Sequence, residues 1–252
     1  MKTIFLKLEY YGAPFSGFAR QPGQLTVQGN LEEALSKVLN SEIVTTCAGR
    51  TDSGVHAKSQ YVSFPYDSEI DCFKLKGSLN SLTHDDIYII DIMQYNFEFS
   101  ARFDAKSREY SYFICNQEQT PLFMKDFSWH IAKDLNIENM KAASKYLIGE
   151  KDFKSFCVAA SAKDKTTMRN VQSIDIFEQE IYGDSILEIR ICANAFLHSM
   201  VRTIIGTLVQ VGLGNRSPES MKEILDAKDR QAAGENAPAK GLVLMNVVYD
   251  KI

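Results

Sequence analysis

Ser107-Arg108-Glu109-Tyr110-Ser111-Tyr112-Phe113-Ile114-Cys115-Asn116 sets large apolar side chains at every second position, Tyr110, Tyr112 and Ile114. A period of two is the pattern of a strand with one face against a core. This strand decides the architecture by its place in the chain. It restarts an order of elements that has already run through once.

The first pass begins with alternation over residues 3–10 (Ile4, Leu6, Leu8, Tyr10) and a turn-rich stretch, Gly12–Gly23, with Pro14 and Pro22. Val27, Leu31, Ala34, Leu35, Val38 and Leu39 then share one helical face. Strand-like pieces at 43–48 and 58–64 flank a polar segment, and a helix over 71–82 (Phe73, Leu75, Leu79, Leu82) leads to a strand at 86–94. After the restart come a helix over 135–147 and strands at 171–178 and 185–192, turned at Gly183-Asp184. An apolar helix over 196–211 follows, then a helix opened by a Ser217 cap and Pro218, and a last strand at 243–249. Both passes read β-α-β-β-α-β, the split ferredoxin-like order. The expected fold is therefore α+β, with two antiparallel sheets, helices on one face of each, and halves at 1–104 and 105–252.

The bulk numbers set the class. With 252 residues, 45% of them hydrophobic and 24% charged, the chain has the composition of a globular protein with a substantial core. No run approaches the ~18 consecutive apolar residues of a membrane span. The start, Met1–Lys7, alternates like a strand and lacks the long apolar stretch of a signal peptide, so a cytosolic protein is expected. The five cysteines are scattered without a C-x-x-C pair and read as small buried hydrophobes; the four histidines are equally dispersed. No metal site is expected. The net charge of −4 does not favour a nucleic-acid partner, yet cations gather at Lys74/Lys76, Arg102/Lys106/Arg108, Lys163/Lys165/Arg169 and Arg202.

The densest chemistry lies in Cys47-Ala48-Gly49-Arg50-Thr51-Asp52-Ser53-Gly54-Val55-His56-Ala57. One reading is a plain connection with Asp52 in a turn position that aspartate favours. The other starts from a cation, two hydroxyls and a carboxylate gathered between strand ends, where a carboxylate facing an arginine stays ionised as a nucleophile or base requires. Arg202 stands out separately, a cation among the apolar residues Phe196–Leu208, and is expected to pair with a carboxylate.

Gly49–Ala57 closely resembles the G-R-T-D-x-G-V-H signature of the tRNA pseudouridine synthase A family. Gly17-Phe18-Ala19-Arg20-Gln21 with Val27-Gln28, Lys106-x-Arg108-x-Tyr110-x-Tyr112, Asn194–Arg202 and Ala237–Leu242 look like the family's other motifs, in order. Phe18 stands where many members carry Trp. The resemblance implies two ferredoxin-like halves meeting around a central catalytic cleft, and a homodimer acting on the anticodon stem-loop of tRNA at positions 38, 39 and 40. It makes Asp52 the nucleophile, with Arg202 its partner. It also makes Tyr110 the substrate-contacting tyrosine, its ring able to stack on the target uracil. Arg50 would then enter the RNA and fill the space of a flipped base. His56 and His198 take structural roles, and Tyr112 packs.

Pseudouridylation breaks the N1–C1′ bond, turns the uracil and rejoins it through C5, without redox change or phosphate transfer. That suits a chain with no G-x-G-x-x-G, no P-loop and no expected cofactor. The carboxylate could attack C1′, add to the uracil ring, or act as base for a glycal route. Two competitors come from other classes. An aspartic protease would need a second D-[ST]-G beside Asp52-Ser53-Gly54, and the sequence holds none. A purely RNA-binding module would leave the carboxylate loop unexplained.

Overall fold

The computed structural model describes residues 2–158 and 166–250; Lys163 and Lys165 of the third cationic stretch lie outside them. The elements are β1 (Thr3–Tyr10), α1 (Val27–Leu39), β2 (Thr46–Cys47), β3 (His56–Pro65), α2 (Cys72–Leu82), β4 (Ile87–Tyr95), β5 (Ala105–Cys115) and β6 (Trp129–His130). There follow α3 (Ile137–Ser144), β7 (Gly149–Asp152), β8 (Met168–Ile181), β9 (Asp184–Ala193), α4 (Met200–Gly212), α5 (Ser220–Ala227) and β10 (Leu242–Tyr249). The chain is thus a mixed α and β protein whose strands pair mostly antiparallel. It forms two compact units, Met1–Arg108 with Leu244–Ile252, and Glu109–Val243.

In the first unit the strand order is β4-β1-β3-β10, with β2 also on β3. Register places Leu6 between Val62 of β3 and Ile92 of β4, so alternation sends Ile4, Leu6 and Leu8, all fully buried, to one face. On the other face Phe5 is equally buried. Its ring stacks on Tyr61 at 5.2 Å and meets Phe99 and Tyr249 edge-on at 5.0 and 5.4 Å. Burying aromatic rings on this scale stabilises the sheet by roughly 1.5–3 kcal/mol per side chain.

Helix α1 is capped by Thr26, whose hydroxyl accepts from the Gly29 amide, and ends at Asn40 in the left-handed region. It buries Val27, Leu31, Ala34 and Leu35, as its periodicity predicts. Helix α2 buries only Leu75 and Leu79; Phe73 is 84% exposed and Leu82 is exposed too, against the sequence reading. The strand expected over 43–48 shrinks to Thr46–Cys47. The Thr45 amide and hydroxyl donate to Glu32 of α1 instead of to a neighbouring strand.

In the second unit the order is β5-β9-β8-β7, with β6 parallel to β5. Strands β8 and β9 form a hairpin down to the pair Ile181↔Asp184. Its turn is Tyr182-Gly183, both at positive φ, one residue earlier than expected, as a tight two-residue hairpin turn demands. Helix α4 is buried on nearly every side and begins at Met200, not 196, because Ser199 sits in the left-handed region and breaks the run. The apolar sequence runs on through that break and hides it. Helix α5 begins at Ser220; Ser217-Pro218 form the turn before it, the Ser217 carbonyl accepting from the Ser220 amide. Strands β6 and β7 are too short to show a period and were not expected.

Candidate active site

Asp52 lies in the loop joining β2 to β3 in the first unit, and the loop is tied down on both sides of it. Upstream, the Ala48 amide donates to the Tyr61 carbonyl at 2.8 Å, and the Gln60 side-chain amide donates to the Gly49 carbonyl at 2.7 Å. The buried Thr51 hydroxyl meets the Tyr10 hydroxyl at 2.7 Å, and the Thr51 carbonyl accepts from the Phe18 amide at 3.1 Å. Downstream, the Val55 amide donates to the Asp52 carbonyl at 3.2 Å across a turn that Gly54 closes at φ +77°. The exposed Ser53 reaches the Phe15 carbonyl at 3.1 Å. Asp52 itself is half-buried, and Arg50, two residues before it, is exposed.

The Gly12–Gln28 segment forms the wall behind this loop. An added Cβ on Gly12 would lie 2.0 Å from the Val55 carbonyl oxygen, and one on Gly17, at φ +102°, would lie 3.0 Å from that of Thr51. Both positions therefore need glycine. The Gly12 amide donates to Nδ1 of His56 at 2.9 Å, and His56 is buried with its ring stacked on Tyr11. His56 is thus structural in its surroundings. Behind the wall sits Glu32, only 4% exposed, which accepts from Thr45, from Gln28 at 2.9 Å and from Arg20 at 3.1 Å. A carboxylate buried this deeply is kept by saturating its oxygens. The Gly17–Gln21 and Val27-Gln28 stretches meet in this network.

Arg108 is the second clamp. It is 7% exposed, and its Nε and Nη2 donate to the Ala48 carbonyl at 3.1 and 3.0 Å. The same guanidinium donates to the carbonyls of Ala105 and Arg102, at 3.0 and 2.6 Å. Burial pushes the Cys47 thiol up to about 11, against the opposing pull of the Arg50 and Arg102 charges. Cys47, Cys115 and Cys157 are buried as expected, while Cys72 and Cys192 are only half-buried.

Tyr110 and Arg202 belong to the second unit. Tyr110 is 6% exposed on β5, held edge-on by the Phe196 ring at 5.2 Å. Tyr112, fully buried on the same face, donates to the Pro238 carbonyl at 2.9 Å and packs on Trp129. Arg202 sits in the first turn of α4, where the helix dipole disfavours a cation. Its Nε donates to the Ala237 carbonyl at 2.8 Å, and its own carbonyl accepts from the Ala237 amide at 3.0 Å. That exchange joins the Asn194–Arg202 and Ala237–Leu242 stretches. His198 is exposed, and its carbonyl accepts from the Val158 amide.

Sequence reasoning missed Tyr10, Gln60, Glu32 and the clamping role of Arg108. Among the described residues no group of three or more His, Cys, Asp or Glu is placed to hold a metal ion, and no helix is long and apolar enough to cross a membrane.

The family described as tRNA pseudouridine synthase matches residues 143–250. Over the whole chain the similarity is broader. The tRNA pseudouridine synthase A of Francisella tularensis subsp. novicida is 41% identical over 99% of this chain and 95% of its own length. That of Francisella philomiragia subsp. philomiragia is 40% identical over the same shares. Among solved structures, an unknown protein from Galdieria sulphuraria aligns with 84% of this chain and 92% of its own at 10% identity, with a TM-score of 0.23, too low to bear on the fold.

Proposed function

Because this chain belongs to the tRNA pseudouridine synthase A family, we propose that Asp52 is the carboxylate that reacts with its target uridine. The chain is a tRNA-uridine isomerase. In the reaction the N1–C1′ bond breaks, the uracil turns and a C5–C1′ bond forms; C5 gives up its proton and N1 gains one. Atoms and electrons balance within the nucleotide, so the reaction calls for no cofactor.

The observation that carries the assignment is the tethering of the loop on both sides of a half-buried carboxylate. Reacting groups gain most when they are held in place before substrate arrives. A uridine inside a helical stem must leave its stack to reach such a carboxylate. We assign Arg50, exposed two residues away, to the space that the flipped base vacates. Tyr110 and Arg202 are assigned to substrate binding. The edge contact from Phe196 and the bond to Ala237 support these two by fixing the ring and the guanidinium. The substrate is read as the anticodon arm at positions 38 to 40, the enzyme as a cytosolic homodimer, and each of the halves 1–104 and 105–252 as ferredoxin-like. The order β4-β1-β3 with β2 on β3 supports the reading of the first half; in the second unit β5-β9-β8 supply three of the strands, while most of β10, the last strand of that half, lies with the first unit.

The test is Asp52→Asn, near-isosteric and neutral. Release of tritium from C5 of labelled uridine in tRNA is expected to fall below detection, because an amide is neither nucleophile nor base. Affinity for tRNA, measured separately, is expected to hold, since it rests mainly on phosphate contacts. Substantial residual release would show that Asp52 is a turn residue.

A further inference from the structure

Phe103 is 79% exposed in a turn of the first unit that is otherwise heavily bonded. The Ser100 hydroxyl accepts from the amides of both Arg102 and Phe103 at 3.3 Å. The Ser100 amide donates to the Asp104 carboxylate at 2.7 Å, and the Asp104 amide returns to the Ser100 carbonyl at 3.1 Å. Ala101 is fully buried; its amide donates to the Ser63 hydroxyl at 2.9 Å and its carbonyl accepts from the Tyr249 hydroxyl at 2.7 Å. The turn is closely bonded, and it presents an exposed aromatic ring.

The Arg102 guanidinium lies over that ring, 5.3 Å from its centroid, and is itself exposed. The cation is attracted to the ring face, so a guanidinium and an aromatic ring stand together at the surface of this turn. Its position is set by Arg108, which grips the Arg102 carbonyl with the same Nη2 that grips Ala48, four residues before Asp52. The charges of Arg102 and Arg50 both act on Cys47.

We propose that the Arg102-Phe103 turn is a second contact for the RNA substrate, in which the Phe103 ring stacks on a nucleobase and Arg102 meets a backbone phosphate. This rests on the tRNA reading above. The chemistry fits a polyanion with exposed bases: an aromatic face takes any base, and two nearby cations, Arg50 and Arg102, favour phosphate. The shared guanidinium makes the turn a ruler, so that a base held on Phe103 fixes how far along the strand Asp52 can reach. Phe103 would thus be a positioning residue for the choice of uridine.

The experiment compares Phe103→Ala, Phe103→Leu and Arg102→Ala with the parent chain, using unmodified tRNA, equilibrium binding over a salt series, and single-turnover tritium release. Both Phe103 variants are expected to melt as the parent does, since the ring is exposed. Phe103→Ala should bind tRNA about 5- to 150-fold more weakly, the range for losing one stacked base, and Phe103→Leu should not restore binding. Arg102→Ala should flatten the slope of log affinity against log salt by about 0.7–0.9. Unchanged affinity in both Phe103 variants would overturn the stacking contact, and an unchanged salt slope would overturn the phosphate contact. A change in sedimentation with intact tRNA affinity would assign the turn to a second copy of the chain and overturn the proposal. If release survives Asp52→Asn, the active-site reading fails; if it depends on Asp52 but ignores Phe103, only this inference fails.

Discussion

The Tyr10 hydroxyl stands 2.7 Å from the Oγ1 of Thr51, both buried, so the last residue of β1 fixes the residue immediately before Asp52. Gln60 of β3 reaches the same Tyr10 hydroxyl at 3.4 Å and the Gly49 carbonyl at 2.7 Å. Two neighbouring strands therefore meet at one phenol, and the loop hangs from it.

Tyr10→Phe removes that phenol and leaves the Thr51 hydroxyl buried without this partner. An unsatisfied buried hydroxyl costs about 1–3 kcal/mol, so the melting temperature should fall by several degrees. Turnover should fall further than stability accounts for, because a displacement near 1 Å can cost on the order of a hundredfold. Thermal melting and single-turnover release on the same sample separate the two effects. A lower melting temperature with an unchanged rate would show that Asp52 does not depend on this bond for its position.

Tyr110→Phe keeps the ring and its edge contact with Phe196 and deletes only the hydroxyl. Affinity for tRNA is expected to stay close to that of the parent, while the single-turnover rate falls at least tenfold, roughly the loss of one good hydrogen bond to a reacting centre. An unaltered rate would return Tyr110 to the role Tyr112 plays, that of a packed ring.

Cys47 gives a pH dependence whose sign is fixed by its burial. The thiol ionises near its ordinary value of 9.0 in the unfolded chain but only at about 11 in the folded one. Its contribution is fully present below about pH 9 and is lost as pH rises towards 11, by about 2–3 kcal/mol in all. Urea unfolding of the parent and of Cys47→Ala, repeated across that range, should show the difference between them shrinking as pH rises. A constant difference would mean that Cys47 ionises alike in both states.

What the sequence made legible follows from period. Alternation at Ile4, Leu6 and Leu8 and at Tyr110, Tyr112 and Ile114 reports the strands and one buried face of each; it does not report that Phe5 of β1 and Ser111 of β5, on the opposite faces, are buried as well. The Asp52 loop stands out because its residue types are concentrated in a few positions, and the role proposed for it comes from the resemblance of Gly49–Ala57 to the family signature. Glu32 was not found, because a carboxylate on an amphipathic helix looks like solvent-facing surface. Only its spacing from Gln28 and the later Thr45 hinted at a buried network. Tyr10 was read as one more apolar side chain on the strand, since alternation reports a face and says nothing of what a hydroxyl touches. Arg108 was seen as a cation, yet its work is to bind three carbonyls whose closeness only the folded backbone creates. The start of α4 was missed for a similar reason: Ser199 breaks the helix through φ, which composition does not record.

Strand β10 places Leu244–Tyr249 in the first unit, although that unit is otherwise built from residues before 109. Tyr249 donates to the Ala101 carbonyl across 148 residues of chain, and its ring completes the cluster of Phe5, Tyr61 and Phe99. On a ribosome adding about 5–20 residues per second, some 7 to 30 s separate the synthesis of those two partners. Throughout that interval the nascent chain carries Phe5, Tyr61 and Phe99 without their closing ring, an apolar surface open to chaperones. Completion of the unit that holds Asp52 is thereby deferred until translation has passed the whole of the second unit, so a prematurely terminated product would lack the strand that seals its amino-terminal core.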